Sequence, residues 1–142
     1  MKIAWIAAAY ARDLKSLKRE IAAYPDERDM WKAVPGISNT GGNLALHLAG
    51  NVRYFIGAVL GSNGYIRDRN AEFSRRDVPR AEVLTEIEAA FAAMQKGLGQ
   101  ITEADLGKPY AATPRWRSAC SRPAWKSAPC TRSRRLRRCR II

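Results

Sequence analysis

Few side chains in this sequence combine the residue type and the spacing that chemistry needs, and His47 comes first among them. It is the only histidine in the chain. A neutral imidazole is the commonest protein ligand for zinc, nickel and iron, and it is also an ordinary interior group when one hydrogen bond satisfies it. Around it, residues 43–60 carry Leu44, Leu48, Val52, Phe55 and Val59 at helical spacing. Asn51 follows His47 by one turn, so both are expected on one face, looking toward the interior. Arg67 and Arg69 flank Asp68 and are candidates to bind an anionic substrate, against the plainer reading of a solvated loop clamped by Asp68. Glu82 and Glu86 stand four apart, a spacing that could serve acid–base work, but the pattern sets them on a solvated helix face without a partner. Cys120, Cys130 and Cys139 are ten and nine residues apart with no histidine among them, which is not a zinc motif.

The elements that would position these groups are helices. Ile3, Ala7, Tyr10, Leu14, Leu17, Ile21 and Tyr24 step by threes and fours, the core stripe of a long helix over 1–24. Pro25 ends it, because the residue before a proline is pushed out of the helical region. Residues 26–31 read as a turn or a short helical piece, with Trp31 as a plug between helices. Residues 34–36 (Val-Pro-Gly) break the chain again, and Ser38, Asn39 and Thr40 offer capping oxygens to a second helix over 40–60 that ends near Gly61. Residues 61–78 show no period, and a connection of that length is either functional or covered by short local structure. Pro79 suits the first turn of a third helix over 79–99, with Val83, Ile87, Phe91, Met94 and Leu98 as its core stripe. A short helical or turn segment follows at 101–106. No strand signal appears, and three amphipathic helices with one long connection imply an all-α bundle lacking a member. Leu44, Leu48, Phe55, Ile87 and Phe91 are expected to line the apolar groove that the missing helix would leave.

Charge divides the chain at about residue 108. Residues 1–108 hold 15 Lys+Arg and 13 Asp+Glu, whereas residues 109–142 hold 10 Lys+Arg, no acid and all three cysteines. The body is therefore an ordinary folded domain, and the tail is a basic segment without hydrophobic period and with four prolines, a composition that resists folding. As an arm it would bind polyanions without sequence preference, with Trp116 and Trp125 available to stack on bases. A second account fits its composition better. Arg, Ala, Pro, Ser and Cys without acids are what a high-GC gene yields out of frame. Moving the frame by one base turns Trp125-Lys126 into Gly and permits a Leu-Gly-His-Val-Asp-Tyr string across residues 130–137. No apolar run is long enough to span a bilayer, and the start of the chain is not a signal peptide, so the expected compartment is the cytoplasm.

Residues 35–51, Pro-Gly-Ile-Ser-Asn-Thr-Gly-Gly-Asn-Leu-Ala-Leu-His-Leu-Ala-Gly-Asn, resemble the second-helix signature of the DinB-like superfamily. Tyr65-Ile66-Arg67-Asp68-Arg69, followed by Glu72-Phe73, resembles a loop of one branch of it, and the likeness covers about residues 1–108. It implies an up-down four-helix bundle, usually a homodimer. Many members hold a divalent metal, zinc, nickel or iron, on three histidines. His47 matches the one from the second helix; the other two come from the last helix, near a string like the one the shifted frame permits. No residue of this chain matches those two. Metal-dependent thiol transfer, isomerisation or hydrolysis is the activity implied, on a small-molecule substrate or with a low-molecular-weight thiol. With two of three ligands absent, this chain is expected to hold metal weakly or not at all and to be inactive. Asn51, Arg67 and Arg69 remain as expected substrate contacts. The rival reading is a helical binding module with a nucleic-acid-contacting arm.

Overall fold

The computed structural model describes residues 2–110, and within them the chain is helical. Helix α1 spans Lys2–Ala22, α2 spans Gly41–Val52 and continues without a break as a π-helix over Arg53–Leu60, α3 is a short helix at Arg69–Ser74, and α4 spans Arg80–Gly99. Two 3₁₀ turns, Glu27–Trp31 and Glu103–Gly107, complete the set. All three stretches expected to be long helices are so, within two residues at each end, and the all-α bundle is what forms; the short helix Arg69–Ser74 lies in the stretch where no period was found. The segment 109–142, on which the readings of a missing fourth helix, a basic arm and a shifted frame rest, lies outside the described residues apart from its first two.

Capping chemistry sets the ends. Thr40 N-caps α2, its hydroxyl accepting from the Asn43 amide. Asp68 N-caps α3 by accepting from the Ala71 amide, so it starts a helix and does not clamp the flanking arginines. Asp26 caps the first 3₁₀ turn through the Arg28 amide. Trp31 is a buried plug, as expected, and its indole donates to the Val78 carbonyl at 3.2 Å.

The direction of the long helices departs from a simple up-and-down succession. The guanidinium of Arg80, at the start of α4, donates to the carbonyls of Ala22 and Tyr24 at the end of α1, while Glu103 beyond the end of α4 accepts from the Ile3 amide. Thus α1 and α4 are antiparallel. Between α2 and α4 the contacts advance together: Arg53 with Glu86, Gly57 beside Ala93, Gly61 beside Gly97. These two helices are parallel. The physical reason is the length of the 61–79 connection, which at about 3.3 Å per extended residue is ample to return the chain along the bundle before α4 begins. It does so against α2 itself, with Asn63 beside Gly57, Tyr65 on Arg53, Glu72 on Gly50 and Arg75 on Asn43.

The core face of α2 also differs from the expected stripe. Ala45, Leu46, Ala49, Val52 and Ile56 are buried, whereas Leu44 and Leu48 stand 41% and 45% exposed. Small residues share the interior here because α2 packs closely on two sides. A Cβ on Gly42 would lie 2.6 Å from the Trp31 ring, and one on Gly97 would lie 2.3 Å from the Ile56 carbonyl oxygen. Leu46, Val52 and Ile56 are the larger side chains that this face buries, Val52 alone of them from the expected stripe. On α4, Val83, Ile87, Met94 and Leu98 are buried as expected. Ile87 therefore belongs to the core, not to an open groove.

Candidate functional site

The returning crossover places a carboxylate against the lone imidazole. His47 projects from α2, and Glu72, in α3, lies with its Oε2 2.8 Å from the His47 Nδ1. Arg67, on the extended limb before α3, grips the same carboxylate with two donors: Nε to Oε1 at 2.6 Å and Nη2 to Oε2 at 2.6 Å. The side chains of Glu72 and Arg67 are only 7% and 11% exposed. A fork-on-carboxylate pair of this kind is a strong charge-assisted arrangement, and inside a protein it persists only if both charges are matched. The other ring nitrogen, Nε2, faces the Asn51 side-chain amide nitrogen at 3.2 Å, and the Phe73 ring stacks obliquely at 4.6 Å between centroids.

The scaffold beneath this cluster is polar and buried. Asn43, 1% exposed, donates from Nδ2 to the Glu72 carbonyl at 2.9 Å and to the Arg75 carbonyl at 3.1 Å, and its Oδ1 accepts from the Thr40 hydroxyl at 2.9 Å. One asparagine of α2 therefore satisfies two carbonyls at the end of α3, which fixes the element that carries Glu72. Gly50 supplies the floor. A Cβ there would fall 2.1 Å from Glu72 Oε1, so only glycine leaves the carboxylate its seat.

Of the residues expected at a site, the structure brings His47, Asn51 and Arg67 together and sets Arg69 apart. Arg67 meets Glu72 and not open solvent. Arg69 lies with its guanidinium 5.0 Å from the Phe73 ring and lines an open cleft of about 630 Å³ with Asn39, Asn70, Phe73 and Ser74. Glu82 and Glu86, read as solvated and partnerless, both have partners: Arg75 for Glu82 and Arg53 for Glu86. Arg53 also covers the Tyr65 ring, 4.0 Å from its centroid, and burial raises the Tyr65 phenol above its usual range. Glu72, Asn43 and Gly50 are the site residues that sequence reasoning did not single out.

As a metal centre the cluster is short of donors. Among the described residues no group of three or more His, Cys, Asp or Glu could hold a metal ion. Glu72 commits both oxygens to Arg67 and His47, which leaves one imidazole nitrogen and the Asn51 amide. A catalytic zinc needs three protein ligands and an open position. The residues present do not fit such an ion. What they do fit is a single, firmly oriented imidazole able to take a proton or one coordination bond. Among the described residues, no helix is long and apolar enough to cross a membrane.

Comparison with known proteins gives a family and nothing more specific. No curated protein and no solved structure matches the chain. The family described as "Protein of unknown function (DUF1572)" matches residues 5–113, which takes in every element of the bundle from α1 onward and the whole His47 cluster. The chain belongs to DUF1572, a DinB-like family.

Proposed function

We propose that this protein is an incomplete member of a class of metal-dependent transferases or hydrolases, retaining the bundle and one oriented ligand but lacking the remainder of the metal site. The observation that supports this reading is the His47–Glu72–Arg67 cluster: a buried ion pair is committed to holding the only imidazole in the chain. Metal-bound histidines characteristically give their second nitrogen to such a carboxylate. Zinc, nickel or iron is the ion such a site would take in a complete protein. A small molecule or a low-molecular-weight thiol would be the substrate, and a homodimer the assembly. Arg69, with the polar side chains around its cleft, is the cation that remains available to an anionic substrate group, whereas Arg67 serves Glu72.

Elemental analysis of three versions tests the reading: the chain as it stands, the chain with its frame moved by one base near residues 105–115, and that version carrying His47→Ala. The first should hold no stoichiometric metal, the second about one ion per chain, the third none. Stoichiometric metal in the first, or metal in the third, overturns it.

The rival reading, a binding module, draws on the 10 Lys+Arg and absence of acids over 109–142. It requires affinity for single-stranded nucleic acid that falls steeply from low to physiological salt and disappears when 109–142 are removed. Salt-insensitive binding, or binding by the shortened chain, removes it.

A further inference from the structure

Arg69, Asn70, Phe73 and Ser74 of α3 line an open cleft of about 630 Å³ together with Asn39, which stands just before α2. Its polar side chains are uncommitted. Among the described residues, Asn39, Asn70 and Ser74 make no side-chain hydrogen bond, and Arg69 pairs with no acid. The nearby acids have other tasks: Asp68 accepts from the Ala71 amide, and Glu72 holds Arg67 and His47. The nearby arginines are engaged too, Arg75 with Glu82, and Arg76 with the carbonyls of Phe73 and Arg75. Arg69 lies over the Phe73 ring, its Cζ 5.0 Å from the centroid. A cation–π contact uses the charge and none of the five N–H donors, so the guanidinium is steadied and still free to bind.

The donor set selects a class of ligand. The lining carries one charge, positive, and no carboxylate. A planar guanidinium fork matches the two oxygens of a carboxylate, and its single charge neutralises a monoanion while leaving a phosphate dianion half compensated. The Asn39 and Asn70 amides and the Ser74 hydroxyl both donate and accept, which suits an amide or hydroxyl elsewhere on the ligand. Because Asp68 takes the Ala71 amide, recognition falls to these side chains and not to the start of α3.

We propose that the Arg69 cleft binds a small monocarboxylate whose body carries an amide or hydroxyl group. This names the ligand class for the cation assigned above to an anionic substrate group; it rests on that assignment and gives no part to a metal. Phe73 also meets the His47 ring at 4.6 Å between centroids, so the cleft and the His47 cluster share a wall.

The test uses the full chain, labelled with ¹⁵N and freed of metal with a chelator, in low-salt buffer. It is titrated with N-acetylglycine, its neutral counterpart N-acetylglycinamide, acetate and inorganic phosphate, and ¹H–¹⁵N shifts are followed, including the arginine Nε–H signals. N-acetylglycine should give saturable shifts at Arg69 Nε–H and at the Asn70 and Ser74 amides. Acetate and phosphate should bind more weakly, and the neutral amide should not saturate. Arg69→Met, which alters an exposed side chain without an acid partner and so leaves the fold intact, should bind N-acetylglycine at least about tenfold more weakly. Asn39→Ala/Asn70→Ala should bind it no better than acetate. No saturable shift, equal binding of the neutral amide, tighter binding of phosphate, unchanged affinity in Arg69→Met, or saturable shifts confined to 109–142 with its 10 Lys+Arg overturns the proposal. The titration is made without metal, so its failure leaves the metal analysis of the three versions standing. Absence of metal from the frame-shifted version, in turn, leaves a saturable Arg69 signal as support for this site.

Discussion

Gly50→Ala is the sharpest single perturbation of the cluster, because the methyl it adds touches one partner first. The new Cβ would lie 2.1 Å from Glu72 Oε1 and 2.8 Å from its Cδ, where ordinary contact begins at about 3.4 Å. The carboxylate must retreat by more than 1 Å, which no bond of 2.6 Å to Arg67 Nε survives. Removing one partner of a buried ion pair costs about 3–5 kcal/mol. A displaced carboxylate keeps part of that interaction, and alanine in a helix interior is better than glycine by about 0.5–1 kcal/mol. The net expectation is a loss of about 2–4 kcal/mol, or at least about 8 °C in the melting temperature of a domain of this size. Circular dichroism on thermal unfolding reads it. Gly99→Ala is the matching control. Gly99 also lies in a helix, but a Cβ there meets nothing within 4 Å, so the helix gain stands alone and the melting point should rise slightly. In a Glu72→Ala background the Gly50→Ala penalty should vanish or reverse, since the two positions are coupled through one contact. A Gly50→Ala protein that melts at or above the parent, or an equal penalty in both backgrounds, would refute the packing argument.

Three other outcomes follow from the same structure. Asn43→Ala removes the side-chain donor of the Glu72 carbonyl, one of the two donors of the Arg75 carbonyl and the acceptor of the Thr40 hydroxyl; a loss of about 2–4 kcal/mol is expected, with faster amide exchange across Arg69–Ser74 than elsewhere. Trp31→Phe keeps the ring volume largely filled but orphans the Val78 carbonyl, so chemical denaturation should show a smaller loss, about 1–3 kcal/mol. Asp26 is held down to about 2 from its ordinary 3.8, first by the Arg28 side chain and then by the Arg28 amide. Its folded value is the depressed one, so its contribution is complete above about 4 and is lost as pH falls through 2. The difference in melting temperature between the parent and Asp26→Asn should therefore be constant above that window and shrink to nothing below it; a difference that persists at the acid end would contradict the assignment.

The helices were legible because their signals are local. The repeated three- and four-residue steps from Ile3 to Tyr24, the break at Pro25, the cap at Thr40 and the start at Pro79 each act over one or two turns. What was not legible is what depends on the return of the chain. Leu44 and Leu48 fit a helical stripe as well as Ala45, Leu46 and Ala49 do, and periodicity alone favours the larger side chains. The close approach of Trp31 to Gly42 and of Glu72 to Gly50 is a tertiary fact that no period carries. The parallel run of α2 and α4 has the same origin, since a connection of this length permits either direction.

Glu72 is the instructive case for the site. It lies in the stretch without period, 25 residues from His47, so no spacing rule links the two. Yet two signals bore on it. The segment from Arg67 to Arg76 holds four arginines and only two acids, of which Asp68 sits at a position suited to capping; Glu72 is left as the acid without a local task. Gly50 stands inside a helix, one turn beyond the histidine, where glycine is inferior to alanine unless something lies against that face. A helical glycine beside a lone imidazole implies an approaching group, and the neighbouring aperiodic stretch is the segment long enough to return one to it. Taken together, the misplaced glycine and the unassigned acid predict each other, and their contact is what turns a solitary histidine into an oriented one.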